Sequence, residues 1–279
     1  MLQLGLSELH RERGECEVAD ELWQKAEALG QHSIEPIYQY RNRVWLANLK
    51  AEQGAFEEAL VLLDEAAPIW AEIFLPDFQP LTARKARIWL RQGRLDQALS
   101  WAAERRLSAD DSLNYVQEFE HVTFARVLLA EFQRVKAPHR IEQAVRLLER
   151  LNKAAKAGGR LGSLLEILLL QAVAHDAAGD DALALAAVDE AIGLGKVQRY
   201  VRPFLALGKP MLTLLKRLKA ENNQSDLYIN TLLSAFEPTV AEPSAGGAAA
   251  ACHRFKRPRD CPPADDFAQH DADSHQKYL

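Results

Sequence analysis

Apolar positions recur along most of this chain with the spacing of amphipathic helices, and strand-like alternation is nearly absent. Within that pattern the smallest side chains stand at fixed places. A glycine, an alanine five residues later and an alanine seven after that occur as Gly14, Ala19, Ala26, as Gly54, Ala59, Ala66, and as Gly179, Ala184, Ala191. Gly93 and Ala98 carry the first two members, and Arg105 stands where the third alanine belongs. A glycine ends a helix by taking the left-handed conformation without a Cβ penalty, and small alanines let the next helix approach its predecessor closely. The unit is a helical hairpin. Its glycines lie 40 and 39 residues apart, and the remaining gap of 86 fits two periods if a degenerate unit is centred on His139 and Ala144. A period of that size predicts an all-α solenoid.

The first hairpin is already under way at residues 2–13, which leaves no room for a polar capping unit before it. The chain is therefore expected to begin inside a longer ancestral array, or its first pair packs on something else. Residues 33–53 and 56–67 form the second pair, and Pro76 and Pro80 break the chain before the third, at 82–92 and 95–104. After a polar linker over 108–114 come 115–131 and 141–155, joined by a loop at Pro138. Gly158 and Gly159 reset the chain for 161–178 and 182–194. A further helix is expected near 209–218 and a short one near 226–236. Beyond Phe236 the chain turns rich in Pro, Ala and Gly and loses aliphatic periodicity, which predicts disorder.

Composition agrees with helices, since 12 prolines and 14 glycines interrupt 279 residues rich in Ala, Leu, Glu and Arg. A net charge of −5 gives no overall drive toward nucleic acid or membrane. The most apolar run, 161–174, carries Glu166 and Gln171 and falls short of the roughly 18 apolar residues of a spanning helix. No membrane partner is expected. Three cysteines, Cys16, Cys252 and Cys261, form no visible disulfide framework, which places the chain in the cytoplasm.

Three stretches are more specific than the repeat. They are YVQEFEHVTFARVLLA at 115–130, AGGRLGSLLEILLLQ at 157–171 and YVRPFLALGKPM at 200–211. Together with the hairpin spacing, which matches the tetratricopeptide signature at a period nearer 40 than 34, residues 1–236 resemble the sensor region of the MalT-like, LuxR-type ATP-dependent transcriptional regulators. The resemblance implies a right-handed superhelix that follows an ATPase module, precedes a helix-turn-helix, receives a small-molecule inducer or regulatory protein, and controls self-association and DNA binding. No G-x-x-x-x-G-K-[ST] phosphate loop exists in the chain, so ATP is not expected to bind through that motif. No helix-turn-helix is recognisable after residue 236 either. DNA is thus a partner of full-length relatives only. The expected organisation is an array over 1–196, terminal helices and a linker to a lost DNA-binding domain over 197–236, and a disordered tail over 237–279. The other reading is a stand-alone scaffold of the same fold for protein–protein interaction.

In such a stack the first helix of each pair lines the concave face. Counting 13 and 6 residues back from the repeat glycines selects Arg41, Asn48, Arg87 and Glu166, and Arg126 joins them if His139 stands in for the fourth glycine. An arginine-bearing groove suits an anionic or hydroxyl-rich ligand or an acidic peptide through bidentate hydrogen bonds. The plainer reading is a solvated face that keeps the array soluble. Trp45, Trp70, Trp89 and Trp101 have the spacing of packing residues.

No nucleophile, acid and base set indicates an enzyme, and no cofactor is expected. Glu118 and Glu120 fall on different helix faces, and His175 sits among apolar neighbours as a packed histidine. Cys252, His253 and Cys261 lack a fourth ligand at a structural-zinc spacing. The basic run 253–259 is followed by Asp260, Asp265, Asp266, Asp271 and Asp273, which argues against a nucleic-acid arm. The tail reads best in another frame. Shifted codons compatible with residues 250–279 permit L-L-A-T-G-L-S-D-R-E-I-A, one free position, R-L-M-I-S-L-N-T, one more position, and R-T-H-T-K-S-I. That order resembles a LuxR-type DNA-binding motif, so the tail is expected to be frameshifted.

Overall fold

A computed structural model describes residues 2–30, 35–73, 75–222 and 226–236. The expectations for the tail, namely disorder, the Cys252, His253 and Cys261 set and the shifted frame, fall outside the described residues. Those described contain thirteen helices and no strand.

The hairpins are α1 (Leu2–Glu12) with α2 (Cys16–Gly30), α3 (Pro36–Glu52) with α4 (Phe56–Ala71), α5 (Leu81–Arg91) with α6 (Leu95–Glu104), α7 (Glu118–Val135) with α8 (Pro138–Ala157), and α9 (Leu161–Ala178) with α10 (Asp181–Gln198). At Gly54 the amide donates to Ala51 O at 3.2 Å while Ala55 N reaches back to Lys50 O at 2.9 Å. This pair of bonds satisfies the last carbonyls of α3, and the left-handed glycine makes it sterically free. Gly14, Gly93 and Gly179 close their helices in the same way, with φ of +75°, +75° and +87°. Ala59, Ala66, Ala98, Ala184 and Ala191 have no accessible surface, which is the close helix approach that the spacing predicts.

The fourth hairpin departs from the expected register. Its left-handed residue is Lys136, not His139, which lies inside α8. Ala144 is nonetheless fully buried. The second helix simply starts one turn earlier relative to its packing alanine, so the alanine carries the register where the glycine is missing. Arg105, in place of the third alanine, caps α6 and sends its guanidinium to Glu120. Helix α4 also continues through Pro68, which falls in its final turn.

The core is strung along the stack. Separate clusters join Leu4, Ala26 and Trp45, then α3, α4 and α5, then α5, α6 and α7. The largest runs from α7 to the C-terminal helices, where α11 (Arg202–Leu205), α12 (Gly208–Asn222) and α13 (Leu227–Ala235) add Phe204, Met211, Leu214 and Leu232. Helix α9 is apolar around most of its circumference, and eleven of its residues are buried between these layers. Its eighteen residues reach the length and hydropathy of a membrane span, but 61% of that window is inside the array. The four expected tryptophans pack. Trp45 stacks on Trp23 at 4.9 Å, Trp70 meets Tyr40 at 4.5 Å, Trp101 is buried and Trp89 lies against the third cluster.

The stack curves until its ends meet. Val201 N donates to the Glu12 carbonyl at 2.9 Å, and Arg13 Nε donates to the Gln198 carbonyl at 3.1 Å. The first helix thus packs against α11, on the far end of the array.

Candidate ligand-binding face

The first helices α5, α7 and α9 bring Arg87, Arg126 and Glu166 to one point. Glu166 Oε1 accepts from Arg87 Nη1 at 2.9 Å and from Arg126 Nη2 at 3.0 Å and Nε at 3.1 Å. Arg87 also donates through Nε to Thr123 Oγ1 at 2.8 Å, and its guanidinium lies 3.7 Å from the centre of the Phe119 ring. Burial pulls the Arg87 pKa down to about 10, even though Glu166 opposes the shift. Burial pushes the Glu166 carboxyl up, and the two guanidiniums more than reverse that, leaving it below the ordinary range. Three of the residues selected from the sequence are therefore one charged cluster.

Arg41 and Asn48 do not join it. Arg41 pairs with Glu8 of α1 at 3.5 Å, and Asn48 lies two turns further along α3, half-buried.

A second cluster, unforeseen, joins the ends of the stack. Glu52 at the end of α3 pairs with Arg11 of α1 at 3.1 Å and with Arg202 of α11. Glu12 stands beside them, and burial raises its pKa against the pull of Arg202 and Arg11. Helix α5 adds Arg84 and Arg91, which share the Arg87 face at spacings of three and four residues. The signal was present in the repeat: Glu12, Glu52 and Arg91 all stand two residues before a repeat glycine, one turn beyond the positions that were counted.

Nearer the start of α7, Glu118 and Glu120 are buried and each is held by an arginine. Arg160 reaches Glu118 Oε2 at 2.9 and 2.6 Å, and Arg105 takes both oxygens of Glu120 at 2.7 and 3.1 Å. Neither carboxylate is set up for acid–base work with the other. His175 is buried with its Nδ1 3.6 Å from Asp180. No group of three metal-ligating side chains exists among the described residues.

The Arg160–Glu118 bond joins the first two of the sequence stretches that resemble the regulators, and Phe204 of the third is fully buried against the same core. The family model described as the MalT-like TPR region matches residues 1–221. The chain belongs to that family. No curated protein matches it. The MalT-like hairpin stack thus accounts for nearly every described residue, and both charged clusters draw on its first helices.

Proposed function

We propose that this array is the signal-receiving region of a LuxR-type, MalT-like transcriptional regulator, that its inner face takes a small-molecule inducer or a regulatory protein, and that it works in the cytoplasm without catalysing a reaction. The observation that carries this reading is the convergence of Arg87, Arg126 and Glu166 from three different hairpins. A ligand that displaces any of those bonds changes how the hairpins sit against one another, which is how a signal leaves a solenoid. With no phosphate loop and no recognisable helix-turn-helix in the sequence, the chain is expected neither to bind ATP through that motif nor to read a DNA sequence, and self-association is the output proposed for it.

Thermal melting of the chain against a panel of small metabolites tests the reading. At least one compound is expected to raise the Tm of the wild type and to lose most of that effect in Arg126→Gln. Compounds that stabilise both proteins equally would move the site off the inner face. The gene tests the lost output: the frame shifted from residue 250 onward is expected to run open through L-M-I-S-L-N-T, and an early stop codon there would end that part of the proposal.

A further inference from the structure

The inner face carries more positive charge than it neutralises. Two of its carboxylates are each divided between two guanidiniums, Glu52 between Arg11 and Arg202, and Glu166 between Arg87 and Arg126. At the Glu166 cluster one carboxylate offsets one of its two partners and leaves a positive charge, whereas Glu12 stands as a second carboxylate beside Arg11 and Arg202. Arg91 stands between the clusters with no carboxylate at ion-pair distance among the described residues; its guanidinium lies 5.4 Å from the centre of the Phe56 ring. Partial burial of its guanidinium and then the charges of Arg202 and Arg126, with Glu52 opposing them, hold the Arg91 pKa below the usual arginine value. Arg87 Nη2 is buried with no acceptor. A buried donor without an acceptor and guanidiniums that repel one another are both relieved by an anion, because each N–H to oxyanion bond is charge-assisted.

We propose that the inner face binds a small anion bearing two or more phosphoryl or carboxylate groups, seated between Arg91 and the arginines that share Glu52 and Glu166. This rests on the inner face being the receiving surface. The curvature of the stack selects a small molecule over a folded acidic partner, since α1 and α11 meet across the seam and bring Glu12 within electrostatic reach of Glu166. Arg87 lies over the Phe119 ring and keeps its Nη2 without an acceptor, and Arg91 lies within cation–π distance of Phe56, so both retain N–H groups for oxygen acceptors.

Isothermal titration of the whole chain with inorganic pyrophosphate, and separately with citrate, at ionic strength held constant with potassium chloride, tests the site. Saturable binding of at least one of the two anions at one site per chain is expected, weakened about tenfold or more in Arg91→Gln, because a bidentate guanidinium contact is lost. Arg91 is in no ion pair among the described residues, so this variant is expected to fold, and its circular dichroism and Tm check that. Arg146→Gln, on the second helix α8, serves as the control and is expected to bind as the wild type does. No saturable heat from either anion, or equal weakening in Arg91→Gln and Arg146→Gln, overturns the proposal. An uncharged effector whose stabilisation is lost in Arg126→Gln would do the same while leaving the inner-face reading intact.

Discussion

Gly54 and Gly179 hold φ of +77° and +87°, and nothing lies within 4 Å of where a Cβ on either would stand. The demand on these positions is therefore conformational and not steric. Gly54→Val and Gly179→Val are each expected to cost on the order of 1 kcal/mol or more, read from thermal or denaturant melting, because a β-branched residue resists positive φ. An unchanged melting curve in either variant would show that the turn does not need glycine. Residues of this kind made the fold legible, since a glycine and two alanines at fixed spacing have one geometric use in a helical hairpin. Lys136, Arg106 and Arg199 take φ of 54°, 53° and 57° with full side chains, and nothing in their identity announces it. A left-handed residue other than glycine costs about 1–2 kcal/mol, which surrounding packing can absorb, so such turns leave no mark in a single sequence.

Among elements, the first helices of the hairpins are tied by charge as well as by apolar packing. Glu166 links α5, α7 and α9, and its carboxyl is held below its ordinary pKa of 4.5. Its contribution is fully present above that value and is lost as pH falls through the depressed folded pKa. Glu166→Gln is expected to cost about 2 kcal/mol near neutral pH, since two half-buried guanidiniums lose the negative charge they share, and the gap to wild type should close in acid. Glu12 has the opposite sign. Its folded pKa is raised above 4.5, so its ionisation costs stability as pH rises through the folded value. Glu12→Gln is expected to melt higher than wild type at neutral pH and equally with it at pH 4. Melting both variants across pH 2–8 checks the pair, and parallel curves would contradict it. Helical register alone brought Arg87, Arg126 and Glu166 to notice, because helix periodicity puts them on corresponding sides of their helices, where they meet. The partner Arg202 was hidden for a physical reason: it meets Glu52 only when the stack closes, and closure depends on the summed small rotations between hairpins.

For the molecule as a whole, that closure rests on few contacts. Val201 is buried, donates to Glu12 O and lies 3.7 Å from the position a Cβ on Gly14 would take. Val201→Asp would set an unpartnered carboxylate against this seam, at a cost of a few kcal/mol if the seam stayed shut. The seam is expected to open instead, raising the radius of gyration in small-angle X-ray scattering while far-UV circular dichroism keeps its helical signal. A radius equal to that of the wild type would mean that the ends do not depend on one another. An open stack lets its terminal hairpins fray separately, but here each end is the other's cap. The bond from Arg13 to Gln198 spans 185 residues, so the amides of α1 and those at the end of α10 share one opening event in hydrogen exchange. Labelling the first helix would then report on the state of the last ones.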